Sequence, residues 1–394
     1  MRTQFLVILV SRGLGSLLQA AVLVLLARAV PASTFGLVNA VIGVVGILLV
    51  VTGWGLSIYV PRARARGDAA DVVAALRVNT LSNVVTGVIL AGAIAVWTTR
   101  GGLPVALAVI GVSLALERNI DTVLGVPIAD GDSRTPAVSM LLRRVVSLGV
   151  LVACLRAGLD PLWSYGGGLL AGALAGQLHV RRVVRVDASA GRTPARDVLR
   201  QAWPFLVSNL TAQARTLDTA IVATVLSPAS AGLYAAASKL VQPLLLIPQT
   251  VGAVVTPHAA RLGPRDARRL GLKLVAVFLA ALVPIVAVLP FAEPLITLVM
   301  GSSYAGAGPA LGWSLVGLPF MALATSLGAL LQGQGKEHLV ALNGTIFTLV
   351  MIPALVVGAI TFGIAGAAAG LATSYVLRSV PLVRAVLRLG SATR

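Results

Sequence analysis

Runs of about 20 mostly apolar residues, separated by short connections, leave this chain few folds to choose from. They cover residues 5–27, 36–60, 78–97, 103–127, 137–155, 162–180, 203–226, 231–256, 272–290, 309–331, 338–360 and 364–387. In lipid every backbone N–H and C=O must be satisfied inside the segment, so each run is read as a transmembrane helix. A soluble alternative fails on composition. Only 11% of residues are charged and 57% are hydrophobic, against about 25% charged in ordinary soluble domains. The first run is too long for the apolar core of a signal peptide and similar runs follow it, so it counts as span one. The expected class is an all-α polytopic membrane protein with twelve transmembrane helices.

Charge sets the orientation. The chain carries 31 Lys+Arg against 13 Asp+Glu. Such an excess can signal nucleic-acid binding, but these cations fall in the gaps between apolar runs, which is the positive-inside pattern. No nucleic-acid partner is expected. With the N-terminus inside, 24 Lys/Arg are assigned to inside loops and tails. Only Arg28, Arg100 and Arg156 fall outside, and Arg12, Arg118, Arg215 and Lys239 fall within spans. This asymmetry requires an even number of spans and predicts a multi-pass protein of the cytoplasmic membrane with both termini cytoplasmic.

The two halves resemble each other. "PASTFGLVNA" (Pro31–Ala40) follows span one and "PASAGLYAAA" (Pro228–Ala237) follows span seven. Gly36 to Pro61 and Gly232 to Pro257 are each 25 residues, and "PRARARG" then parallels "PHAARLG". Order and spacing together predict two six-helix lobes in parallel repeat, residues 1–180 and 203–394, joined by a basic cytoplasmic linker at 181–202. Parallel repeats around a central cavity are a transporter architecture.

Several chemistries lack their residues. No phosphate-binding glycine loop of the Gly-x-x-x-x-Gly-Lys-Ser/Thr type and no His-Glu-x-x-His occur. The single cysteine, Cys154, precludes an intrachain disulfide or a zinc cluster. His179, His258 and His338 stand singly at span ends. No catalytic or metal-binding residue and no cofactor are expected, beyond a possible coupling H+ or Na+. "GLLAGALAG" (Gly168–Gly176) places glycines four apart, which permits close helix packing within a lobe or at a dimer face.

The sharpest feature is charge inside the spans. In span seven Ser208, Thr211, Arg215 and Asp218 recur at spacings of 3, 4 and 3, one stripe of a regular helix. A cation at mid-span costs at least about 2.5–3.5 kcal/mol, so it faces water or a partner. Either Arg215 and Asp218 neutralise each other, or Arg215 holds an anion while Asp218 orients it or carries a coupling proton. In span one Arg12, Gly15 and Gln19 share a face, and Gln19 falls near Arg215 by the repeat. Lys239 in span eight suits substrate contact or an ion pair equally. Span four carries "LERNID", in which Glu117 and Asp121 are at i and i+4 beside Arg118. That trio reads as a self-satisfied salt-bridge cluster or as a coupling site. Prolines in spans eight and nine (Pro243, Pro248, Pro257, Pro284 and Pro290) predict bent helices, as hinges or as fixed kinks.

The chain resembles the polysaccharide-transporter branch of the multidrug/oligosaccharidyl-lipid/polysaccharide exporter superfamily, which includes flippases for O-antigen and other lipid-linked oligosaccharides. The matching stretches are "SRGLGSLLQAAVLVLLARAVPASTFG", "PASAGLYAAASKLVQP", "LITLVMGSSYAGAGPAL" and "LLQGQGK". The resemblance implies two six-helix lobes and a cationic cavity for the pyrophosphate and sugars of a lipid-linked glycan. It also implies ion-driven alternating access, within a membrane that supplies glycan polymerases or glycosyltransferases as partners. Carried to this chain, the substrate contacts are Arg12, Gln19, Arg215, Lys239 and Arg118, with Asp218, Glu117 and Asp121 as coupling candidates. The alternatives are a multidrug or small-molecule exporter of the same superfamily, and an integral-membrane glycosyl- or acyltransferase using Asp130 and Asp132.

Overall fold

The structure, a computed structural model, describes residues 2–99, 104–186 and 193–389, and among these no strand occurs. Helices run α1 (Arg2–Ala29), α2 (Ala32–Thr52), α3 (Leu56–Ala65), α4 (Ala69–Thr99), α5 (Ala106–Val123), α6 (Gly125–Ala129), α7 (Arg134–Arg156) and α8 (Pro161–Val183). They continue as α9 (Ala195–Gln213), α10 (Asp218–Val225), α11 (Pro228–Val241), α12 (Leu246–Ala259), α13 (Pro264–Ala280), α14 (Leu282–Val288), α15 (Ala292–Met300), α16 (Gly308–Gly333) and α17 (Glu337–Leu387). Among the described residues, every predicted span falls on mainly helical backbone. Seven helical segments are long and apolar enough to cross a membrane among the described residues. The chain is an all-α multi-pass membrane protein.

Several predicted spans are broken, each for a local reason. Span two becomes α2 and α3, parted by Trp54 and Gly55 at positive φ, 48° and 75°. A methyl on Gly55 would lie 2.6 Å from the Leu206 nitrogen, so α9 passes too close for any side chain there. Trp54 sits in that costly conformation while its indole N–H donates to the Leu199 carbonyl at 3.0 Å. Span seven breaks at a 3₁₀ turn, Ala214–Leu217, and span eight at another, Gln242–Leu245, around Pro243. In α17 the non-helical Phe362 and Gly363 divide the helix into two antiparallel halves, as the gap between spans eleven and twelve predicts.

The chain forms two compact units, Met1–Val30 with Ala40–Leu217, and Pro31–Asn39 with Asp218–Arg394. In the first, α8 lies against α7 through the predicted glycine ladder. Methyls on Gly168 and Gly176 would meet the Ser147 carbonyl at 2.7 Å and the Arg143 side chain at 2.6 Å. Leu56, Tyr59, Val72, Val126 and Val198 form an apolar core at one end of this unit.

In the second unit the start of α2 packs on the start of α11. A methyl on Gly36 would strike the Pro228 carbonyl and the Gly232 nitrogen, and one on Gly232 would strike the Ala32 carbonyl. With Gly36 equated to Gly232, Ala32 is the repeat equivalent of Pro228, so the contact is reciprocal in the manner of a two-fold interface. Beside it Phe35 meets Tyr304 edge-on, ring centroids 5.7 Å apart. Two stretches that carry the family resemblance therefore touch. Glu293 holds the loop that starts α16, accepting from the Gly306 and Gly308 nitrogens at 2.6 and 2.7 Å.

Candidate functional site

A polar seam runs through the first unit. Its neutral part is a chain of amides: Asn79 donates to Asn119 Oδ1 at 2.8 Å, and Asn119 donates to Gln177 Oε1 at 3.0 Å. Thr80 adds a bond to the same Asn119 oxygen, and Asn83 donates back to the Asn79 carbonyl. The seam joins α4, α5 and α8. Such groups persist in an apolar interior only when paired with one another.

The charged part lies on the neighbouring face of α5. Glu117 pairs with Arg144 at 3.0 Å and Asp121 with Arg143 at 2.8 Å, both arginines standing on α7. The i, i+4 carboxylates thus face a second helix, and their cations come from there rather than from Arg118. Arg118 turns toward the break between α2 and α3, where it donates to Ser57 Oγ at 3.4 Å. Asn209 of α9 donates to the same oxygen at 3.3 Å. The Arg143 side chain is only 6% exposed and that of Asp121 54% exposed. A cavity of about 470 Å³ opens beside this pair, lined by Ser11, Asp121, Met140 and Arg143 among others.

Arg143, Arg144, Lys273, Arg378 and Arg384, counted by charge among the inside loops and tails, stand instead within helical segments long and apolar enough to cross a membrane. The available signal was positional: Arg143 is already seven residues into the predicted fifth span.

The remaining candidates divide between the units. The side chains of Arg12 and Arg215, like those of Ser208 and Thr211, lie outside the described residues. The Arg215 backbone belongs to the 3₁₀ turn, and Thr216 in that turn abuts Gly43 of α2. A regular stripe through Arg215 and Asp218 therefore does not form, because the helix changes pitch between them. Gln19 on α1 has a buried Oε1 with no hydrogen-bond partner among the described residues. In the second unit Asp218 opens α10 and accepts from the buried Tyr234 hydroxyl at 3.2 Å. Lys239 is half-buried in the last turn of α11. Among the described residues no group of three or more His, Cys, Asp or Glu could hold a metal ion.

Guanidinium and ammonium groups are able to replace the water around a phosphate with charge-assisted hydrogen bonds.

Two matches to known families bear on the chain. Residues 2–117 match a family described as polysaccharide biosynthesis protein, and residues 137–309 match a second with the same description. Each match covers less than half of the chain, and the two lie in different parts of it. Among solved structures, the chain is similar to the lipid II flippase MurJ in an inward closed conformation, with TM-score 0.75 and 14% identity over 98% of this chain and 88% of that one. It is also similar to an inward-facing multidrug-resistance MATE transporter of the MOP superfamily, with TM-score 0.73 and 16% identity over 96% of each chain. A third similar structure is a MOP superfamily transporter from Pyrococcus furiosus, with TM-score 0.66 and 15% identity over 99% and 96%. None of the curated proteins matches the chain in sequence. The chain thus has the fold of these transporters.

Proposed function

We propose that this protein is a flippase that moves a polyprenyl-pyrophosphate-linked oligosaccharide from the cytoplasmic to the outer leaflet during polysaccharide assembly. The observation that carries this reading is the pairing of polysaccharide biosynthesis family matches with a MurJ-like fold on one chain. The lipid tail stays in the bilayer while the polar head crosses, so the protein need only offer the head a substitute for water. Lys239, Arg215, Arg12 and Arg118 take the pyrophosphate in this reading, and Gln19, whose buried carbonyl oxygen has no hydrogen-bond partner among the described residues, takes a sugar hydroxyl. Glu117, Asp121 and Asp218 are the groups through which an H+ or Na+ gradient would act. Both termini lie in the cytoplasm, as the basic loops favour, where glycosyltransferases deliver the substrate and from which a polymerase receives it across the membrane.

The second reading, a small-molecule exporter, is favoured by the MATE likeness. Reconstitution into vesicles separates the two. The flippase moves a fluorescent polyprenyl-linked glycan between leaflets faster than empty vesicles do. Drug efflux without glycan transfer sinks the proposal.

A further inference from the structure

Two adjoining cavities of the second unit form one groove along the paired halves of α17. The deeper part, about 170 Å³, is walled by Leu342, Ile346, Phe347, Leu377 and Arg378. The mouth, about 460 Å³, carries Lys336, Arg384 and Arg388. Leu339 and Pro381 line both parts, which makes them continuous. No Asp or Glu lines either part among the described residues.

The arrangement is graded. Arg378 stands six residues from Arg384, hence about 9 Å deeper along the axis. Its guanidinium lies over the Phe347 ring, 4.7 Å from the centroid. Phe347 in turn stacks on Tyr375 at 5.3 Å, and Asn343 donates to the Arg378 carbonyl at 3.2 Å. The deep cation is therefore fixed by its surroundings. Leu342, Ile346 and Leu377 are each about half exposed, so the trough opens sideways onto the lipid.

We propose that this groove binds an anionic phospholipid, its phosphate at Lys336, Arg384 and Arg388 and an acyl chain in the trough beneath Arg378. Lys336 and Arg384, with Arg388 beside them and no Asp or Glu among the described lining residues, attract a phosphate strongly near an apolar medium. The trough adds apolar burial for a chain. A zwitterionic lipid brings an ammonium that the mouth repels, and free phosphate leaves the trough unfilled. The inference stands apart from the transport reading, since a non-transporting chain with this groove would bind the same lipid.

The test is native mass spectrometry of the purified full chain in detergent, titrated with equal phosphatidylglycerol and phosphatidylcholine. The first bound lipid is expected to be phosphatidylglycerol by roughly fivefold or more, given the attraction of even one basic residue for anionic lipid. K336Q/R384Q/R388Q should lose that preference, and R378Q should weaken it. The charge-matched variant R265Q/R268Q/R269Q on α13 should keep it, and millimolar inorganic phosphate should not displace the lipid. Circular dichroism confirms that each variant retains its helices. No preference in the wild type, equal loss in the α13 variant, or displacement by phosphate would overturn the proposal. So would polyprenyl phosphate outcompeting phosphatidylglycerol, which would make the carrier lipid the occupant.

Discussion

Replacing Gly36 or Gly232 with alanine gives an effect whose sign separates two physical accounts. On helix propensity alone, alanine is better than glycine by about 0.8–1.0 kcal/mol in a helix interior. The contact predicts the reverse. A methyl on Gly36 would sit 2.9 Å from the Gly232 Cα, and closer still to backbone nitrogen and oxygen. Ordinary carbon contacts need about 3.5–4.0 Å, so the helices must part by roughly 0.6–1.1 Å. Backbone atoms cannot rotate aside as a side chain would. Overpacking of this kind costs about 1–3 kcal/mol, which outweighs the propensity gain over most of its range. Because both methyls would enter one gap, G36A/G232A should be little worse than the poorer single variant, a coupling of about 0.5–3 kcal/mol. Tryptophan fluorescence of the five Trp residues reports unfolding in detergent, compared at one scan rate because such unfolding is irreversible. Gly149→Ala, with open space around it, is the control and should be neutral or stabilising. If Gly36→Ala and Gly232→Ala both raise the midpoint as Gly149→Ala does, the reciprocal contact is not what holds these helices together.

Asp132 caps α7, accepting from the Arg134 and Thr135 nitrogens at 2.8 and 3.2 Å, so Asp132→Ala should cost about 0.5–2 kcal/mol in melting experiments. The Thr135 hydroxyl above all holds the Asp132 carboxyl below the usual range; burial pushes the other way, and the two nitrogens and Arg134 add to the lowering. Its stabilisation is therefore complete above the unfolded value of about 3.9 and fades as pH falls through the lower folded one; Asp132→Asn should flatten this part of the acid-denaturation curve, and an unchanged curve counts against the cap. Glu117→Gln leaves Arg144 without its anion and should destabilise by about 1–3 kcal/mol, with E117R/R144E recovering part of the loss; loss of gradient-driven transport at unchanged stability would instead mark Glu117 as a coupling group. Lys239→Ala should slow glycan transfer about 10–100-fold, the worth of one charge-assisted hydrogen bond, and leave the melting midpoint unmoved; an unaltered rate removes Lys239 from the substrate path.

The helical class and the segment positions were legible because a run of apolar residues has one stable form in lipid. The division of α17 was legible too, since Phe362 and Gly363 sit where the apolar pattern pauses. Other breaks were not. Gly53–Gly55 looks like any glycine inside a membrane helix, where such residues are tolerated. Ala214–Leu217 contains neither glycine nor proline, so nothing local announces the 3₁₀ turn that disrupts the stripe through Arg215 and Asp218. The site was half legible. Glu117 and Asp121 stood out as intramembrane carboxylates, but their partners lie 27 and 22 residues on, in a helix whose arginines had been credited to a loop. Pairing between helices depends on packing, which periodicity within one helix does not report.

The amide chain Asn79–Asn119–Gln177 has a property the neighbouring ion pairs lack. Amides carry no net charge and do not titrate. A membrane potential exerts about 2.3 kcal/mol per elementary charge per 100 mV on an ion crossing the layer, but no such force on these side chains. The first unit therefore contains a brace indifferent to voltage and acidity, and the three helices it joins, α4, α5 and α8, keep their register whether or not the membrane is energised.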